Sequence, residues 1–232
     1  MKITVVGASG LIGAKVVELL EKQGHDVVAA SRSTGVDVLT SDGLADALSG
    51  ADALVDVTNF PTFEADAVLH FFTTSATNLA AAAEAAGVGH YVALSIVGVD
   101  GLPDSPYMRA KIAQERVITE SGIPYSIVRA TQFAEFTDAI VESFTVGDEV
   151  RVPDALIQPI PADEVAAAVA EAATAAPLEG IRNIGGPQQV TFEQMARDVL
   201  ARKSHHSKPI VVDPDARYFR ARLSERSLVT PN

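Results

Sequence analysis

The chain contains no cysteine. That excludes disulfides, thiolate metal sites and a cysteine nucleophile, and it fits a cytoplasmic location. Basic residues are also scarce, with 18 Lys and Arg against 30 Asp and Glu and a net charge of −12. Nucleic-acid and anionic-membrane surfaces need clustered cations to displace counterions, so neither partner is expected, while a single basic pocket for a phosphate is compatible with this balance. No apolar run is long enough to cross a bilayer, and no basic segment precedes an apolar one at the start, so neither a membrane span nor a signal sequence is expected. The histidines make no case for a metal: His25, His70 and His90 are isolated, and His205-His206 has no carboxylate at ligand spacing. What remains is a chain of 232 residues, 47% hydrophobic and 21% charged, long enough for one large α/β domain with a substantial core.

The first thirteen residues organise the rest. Ile3, Val5 and Val6 read as a buried strand, and Leu11, Val16, Leu19 and Leu20 read as one face of a helix. Between them stand Gly7, Gly10 and Gly13, which leave the backbone bare enough for a pyrophosphate to approach the helix N-terminus and its partial positive charge. Gly7, Ser9, Gly10, Leu11, Ile12 and Gly13 are therefore expected to contact a dinucleotide. A second strand, Val27 to Ala30, leads into Ser31-Arg32-Ser33-Thr34, where dinucleotide folds meet the adenosine ribose. An NAD site favours a carboxylate there. Hydroxyls and an arginine suit a 2′-phosphate instead, so Ser31, Arg32 and Ser33 point to NADP, with NAD possible.

Gly35 to Val38 is read as a short third strand, with Asp37 open between an adenine contact and a turn cap. Asp42 to Ser49 reads as a short helix, and Ala53 to Thr58 as a fourth strand that delivers Thr58 and Asn59 to the carboxyl rim as cofactor contacts. An alanine-rich helix from Glu64 to Ala86 ends at Gly87. The strand Tyr91 to Ile96 then brings Ser95 to the same rim. Ser105 and Pro106 read as the cap and first residue of a helix that carries Tyr107 and, one turn on, Lys111. This helix is expected to end at Gly122, before a sixth strand from Tyr125 to Arg129. Strict alternation of strand and helix to this point predicts a parallel sheet covered on both faces. Beyond it, Phe133 to Phe144, Ala162 to Ala176 and Thr191 to Lys203 read as helices, and Leu156 to Ile160 and Ile181 to Ile184 as strands. The whole chain, 1–232, is read as a single domain in which residues from about 130 onward contribute a substrate-side cap.

Reduction of a carbonyl needs an acid for the developing alkoxide, and a phenol serves when a cation lowers its pKa. Tyr107 and Lys111 supply that pair, Ser95 is placed to hold the carbonyl, and Lys111 is also expected to bond the nicotinamide ribose. Phe133 and Phe136 follow the sixth strand at the ligand rim and are candidates for substrate contact; with Phe144 they also suit a cap core.

Taken in this order, Gly7-x-x-Gly10-x-x-Gly13, Ser95 and Tyr107-x-x-x-Lys111 resemble the short-chain dehydrogenase/reductase superfamily. The segments Ala93 to Gly98, Arg129 to Phe133, Gln158 to Ile160 and Asn183 to Pro187 resemble its atypical NmrA-like group. The resemblance covers nearly the whole length. It implies a Rossmann-type doubly wound parallel sheet with a small C-terminal α/β cap, and a nicotinamide near Ser95, Tyr107 and the loop from Ala130 to Phe133, with Thr131 among the cofactor contacts. The superfamily's enzymes often add an asparagine from the helix before the serine strand; Asn78 lies on that helix but later than the family's position. The reading is an NADP-dependent oxidoreductase acting on a small carbonyl or quinone-like compound. Two alternatives stay open: a non-catalytic NADP(H)-sensing regulator, and a sugar-nucleotide epimerase.

Overall fold

The computed structural model describes residues 1–60, 64–203 and 208–231. Among them, β1 (Lys2–Val6), β2 (Asp26–Ala30), β3 (Ala53–Asp56), β4 (His90–Ile96) and β5 (Tyr125–Ala130) join one parallel sheet. Three short strands follow in the chain, β6 (Thr145–Val146), β7 (Glu149–Val152) and β8 (Leu156–Ile157), before β9 (Gly180–Ile184) returns to that sheet beside β5. Its spatial order is β2-β1-β3-β4-β5-β9. Chain direction across the sheet reverses at β1, so the carboxyl ends of β1 and β3 flank the switch point at which open parallel sheets hold ligands.

The helices are α1 (Leu11–Lys22), α2 (Leu44–Leu48), α3 (Ala65–Ala86), α4 (Pro106–Glu120), α5 (Thr137–Ser143), α6 (Ala162–Thr174) and α7 (Phe192–Arg202). Strand side chains alternate between faces. Ile3, Val5, Val55, Val92 and Val128 pack under α1 and α6, whereas Val6, Leu54, Tyr91 and Ala93 pack under α2, α3 and α4. Both layers of a doubly wound fold are thus present. Helix ends fall where local chemistry puts them: Gly87 follows α3 at φ 70°, and the Ser105 hydroxyl accepts from the Met108 amide at 3.4 Å at the start of α4, with Pro106 in its first turn.

One expected element is absent. Gly35 to Val38 forms no strand: Arg32–Thr34 is a single 3-10 turn closed by Gly35 at φ 84°, and Val36 turns inward to pack beside Leu44 and Leu48. Asp37 caps its own turn by accepting from the Leu39 amide at 2.8 Å. The sheet therefore ends at β2.

Residues beyond 130 divide between two tasks. α6 and β9 complete the parallel sheet, and the rest builds a second core over its rim. That core gathers Ile140, Val141 and Phe144 of α5, Val150 and Val152 of β7, and Phe192, Met195 and Val199 of α7, and it reaches Val99, Leu102 and Met108 below. Its remaining strands are β10 (Val190–Thr191), β11 (Ile210–Val212), β12 (Arg217–Tyr218) and β13 (Ala221–Arg222). The expected strand at Leu156–Ile160 is broken into β8 and a single bridge between Ile160 and Phe133. The 12–13 pair turns through Phe219 and Arg220 at φ 45° and 72°, a left-handed pair without glycine. His205-His206 and Pro61 lie outside the described residues.

Candidate active site

The glycine turn is set by close packing. Gly7 has φ 88°, and a Cβ there would stand 2.8 Å from the Val57 carbonyl oxygen behind β3; at Gly13 a Cβ would stand 2.2 Å from the Gly7 oxygen. Gly10 caps α1 without a side-chain bond, and the first turn carries no acidic residue. Its first intrahelical bond runs from the Ala14 amide to the Gly10 oxygen, so the amides of Leu11, Ile12 and Gly13 precede the helical ladder. Ser9 and Leu11 are exposed, and Ile12 is buried beneath them. This is a bare, electropositive cradle for a phosphate.

The loop is tied to the next strand, since the Gly7 and Ala8 amides both donate to the Ala30 oxygen, at 3.0 and 3.2 Å. Beyond Ala30 the chain places Ser31, Arg32 and Ser33 directly beside the cradle. The Ser31 and Ser33 hydroxyls lie 2.8 Å apart, and Arg32 is exposed with no ion pair among the described residues.

At the carboxyl end of β3 lies a buried polar chain that sequence reasoning missed. Asp56 is fully buried; its Oδ1 accepts from the Thr58 amide at 3.0 Å and the Thr58 hydroxyl at 2.7 Å. Its Oδ2 accepts from the Tyr91 hydroxyl at 3.1 Å and from Gln114 Nε2 at 2.8 Å. Gln114 Oε1 in turn accepts from Lys111 Nζ, which also donates to the Leu94 oxygen at 2.9 Å and sits 4.6 Å from the Phe72 ring centre. Desolvation pulls Lys111 from the ordinary 10.5 to about 8, against the opposing pull of Asp56 and Glu115. The signals were available: a carboxylate closing an apolar strand, and a glutamine three residues after Lys111 on the same helical face.

Tyr107 opens α4 as expected. Its hydroxyl donates to Asn59 Oδ1 at 2.7 Å, its ring meets Phe72 edge-on at 5.6 Å, and burial pushes its pKa up, not down as expected from a neighbouring cation, because Lys111 is held inward by the Leu94 oxygen and Gln114. Asn59, read from the sequence as a cofactor contact, thus stands on the phenol. Lys111 lies one turn on with its ammonium directed inward. Asn78 is elsewhere: its Nδ2 donates to the Val38 and Leu39 oxygens, tying α3 to the loop after β2.

Ser95 and Thr131 stand at the ends of β4 and β5. Among the described residues, Ser95 Oγ, Thr131 Oγ1 and Gln132 Nε2 are buried side-chain atoms with no hydrogen-bond partner. Such atoms are costly to bury unless a ligand completes them. Beneath them Arg129 is fixed by Glu115, at 2.9 Å from Nε and 2.5 Å from Nη2, and by Asp100. The Phe133 and Phe136 rings meet at 5.6 Å, tilted by 31°, with Phe136 exposed, while Phe144 is buried in the cap core. A bare phosphate cradle at the switch point, with orphaned polar atoms two and three strands further on, fits an extended dinucleotide laid across the rim.

Comparisons with known proteins agree. Residues 7–176 match the model of a family described as NAD(P)H-binding. The chain is 32% identical over 209 residues to the (4-alkanoyl-5-oxo-2,5-dihydrofuran-3-yl)methyl phosphate reductase of Streptomyces griseus, spanning 83% of this chain and 70% of that one. Among solved structures, it is similar to MoeE5 in complex with UDP-glucose and NAD, with a TM-score of 0.74 at 21% identity, covering 91% of this chain and 85% of that one. It is also similar to the Citrobacter sp. triphenylmethane reductase complexed with NADP(H), with a TM-score of 0.66 at 20% identity, covering 92% and 80%. The solved structures share the Rossmann-type fold.

Proposed function

The chain belongs to the NAD(P)H-binding family, and from that premise we propose that it is an NADP-dependent reductase of a small carbonyl or quinone-like compound, with Tyr107 as the acid. The observation that carries this reading is the convergence at one rim of the Tyr107 phenol, the orphaned Ser95 hydroxyl and the buried Lys111 ammonium. The similarity to a (4-alkanoyl-5-oxo-2,5-dihydrofuran-3-yl)methyl phosphate reductase supports reduction as the reaction class. Gly7 to Gly13 and Ser31 to Ser33 would hold the dinucleotide's phosphates and adenosine ribose, with Thr58 and Thr131 further along the rim. When bound, the nicotinamide supplies the hydride that reaches the carbonyl carbon. Ser95 Oγ donates a hydrogen bond to the carbonyl oxygen and orients it. Tyr107 gives its proton to the same oxygen as the alkoxide forms, releasing Asn59 to do so. Burial keeps the phenol protonated, and the Lys111 charge offsets the phenolate left behind.

Tyr107→Phe removes the transferable proton and keeps the ring's packing on Phe72. Turnover of NADPH with a responsive carbonyl is expected to fall at least about a hundredfold, with NADPH affinity by calorimetry within about twofold of the parent. Unchanged turnover would remove Tyr107 from the mechanism.

A further inference from the structure

The buried polar chain that starts at Asp56 has a direction. A carboxylate only accepts hydrogen bonds and an ammonium only donates them. The Gln114 amide stands between the two, with all three side chains buried, so both ends demand the same orientation of it. Its Nε2 donates to Asp56 Oδ2 at 2.8 Å, and its Oε1 accepts from Lys111 Nζ. The Leu94 oxygen, at 2.9 Å, takes a second N–H of the ammonium. Asp56 Oδ1 serves the other side. It accepts from the Thr58 amide and hydroxyl, at 3.0 and 2.7 Å, and so closes the turn that leads to Asn59, whose Oδ1 accepts from the Tyr107 hydroxyl at 2.7 Å. One buried carboxylate thus reaches Lys111 through one oxygen and the partner of Tyr107 through the other.

The other groups around the ammonium are committed elsewhere. Glu115, the next carboxylate on α4, is engaged by Arg129 of β5 at 2.9 and 2.5 Å, and Asp100, in the single turn Val99–Gly101, pairs with the same guanidinium. β4 contributes the Tyr91 hydroxyl, which donates to Asp56 Oδ2 at 3.1 Å; α3 contributes the Phe72 ring, and Tyr107 lies one turn earlier on α4. Among the described residues, Asp56 is the carboxylate beside Lys111 that no arginine holds.

We propose that Asp56 and Gln114 are positioning residues, which keep the Lys111 ammonium charged and in place beneath the rim while Asp56 also fixes the turn that sets Asn59 on the phenol. Their part in reduction rests on the reductase reading; their hold on Lys111 does not. A carboxylate offers two accepting oxygens and an amide one, so Asp56→Asn serves either Thr58 or Gln114 and not both.

A carbon-13 NMR titration of Lys111 Cε in the full chain, without cofactor, reads that hold directly. The midpoint, about 8 in the parent, is expected to fall by at least about half a unit in Asp56→Asn, which removes the charge, and in Gln114→Leu, which removes the accepting oxygen at similar volume. Tyr91→Phe takes one donor from the same carboxylate without touching the route to Lys111, and its midpoint is expected to stay within about 0.3 unit of the parent. A smaller fall in either of the first two variants, or a fall beyond that limit in Tyr91→Phe, would overturn the proposal. Should Gln114→Leu fail to fold, Gln114→Asn is titrated to the same criterion, since its amide is one methylene too short to span Asp56 and Lys111. Should Asp56→Asn fail to fold, the Gln114 and Tyr91 variants decide. The pH at which turnover falls is expected to move with the Lys111 midpoint in each variant. Midpoints that shift as expected in a chain that consumes no NADPH with carbonyls or quinones would keep the positioning role and remove the reductase reading; steady turnover with unmoved midpoints would do the reverse.

Discussion

Lys111 carries its charge against the pull of burial. Its folded pKa of about 8 lies below the ordinary 10.5, so between those values the unfolded chain binds more protons than the folded one. Stability from this group therefore rises with pH across that window, by about 3 kcal/mol in full at 1.36 kcal/mol per unit. Relative to Lys111→Met, the parent is expected to gain roughly 2 kcal/mol between pH 7.5 and 9.5 in urea denaturation, and parallel curves would show that Lys111 is not held in a low dielectric. If its ammonium offsets the Tyr107 phenolate, turnover falls as pH rises through about 8. Arg32 presents the opposite case, an exposed cation whose worth depends on a ligand. Arg32→Ala is expected to raise the Kd for NADP about tenfold and leave that for NAD within about twofold, as measured by calorimetry. Equal affinities of the parent for the two cofactors would refute the preference for NADP. At this scale the placement of Ser95 and Tyr107 was legible because one sits where a strand ends and the other where a helix begins, with Lys111 one turn on. Asp56 and Gln114 were not, because their meeting depends on the β3–β4 register that sets Asp56 beside Ala93 and on the way α4 lies across it.

Among the elements, α1 shows packing overruling propensity. Alanine is the better helix former, by about 1 kcal/mol over glycine in a helix interior. At Gly13, however, its methyl would stand 2.2 Å from the Gly7 oxygen, so the helix has to move away from the turn that it completes. Gly13→Ala is expected to cost about 2–3 kcal/mol in urea denaturation and to weaken NADP binding at least tenfold. A neutral effect on both would mean that the turn adapts. The ends of α3 and α4 were readable for a related reason: Gly87, Ser105 and Pro106 act through chemistry confined to one turn. Gly35 to Val38 misled because Val36 and Val38 alternate as a strand does. The hydroxyls of Ser31 and Thr34, which close a reciprocal cap around the 3-10 turn, bend the chain away before pairing begins. The short cap strands were hidden for the opposite reason, since pairings such as β8 with β10 depend on partners more than thirty residues away.

Across the whole molecule, the sheet and the cap have separate cores, joined by the apolar packing of Val99, Leu102 and Met108 and by polar ties. Ile3, Val92 and Val128 belong to one and Phe144, Val150 and Phe192 to the other. Arg129, held by Glu115 and Asp100, fixes the base of the rim. Gln158 gathers the top: its Nε2 donates to the Gly186 oxygen at 2.7 Å, and its Oε1 accepts from the Thr230 amide at 2.9 Å and the Thr230 hydroxyl at 3.1 Å. One buried side chain thus links the β8 segment, the turn after β9 and the tail, and truncating it leaves several groups unpaired at once. Because these partners lie on the cap side, Gln158→Ala is expected to lower the opening free energy of the Thr230 and Leu228 amides by about 1–2 kcal/mol in native-state hydrogen exchange. Val92 and Ile127, in the middle of the parallel sheet, are expected to exchange as in the parent. Equal loss at all four amides would show that cap and sheet open as one cooperative unit. Loss confined to the tail would show that the segment tied by Gln158 opens while the sheet stays closed.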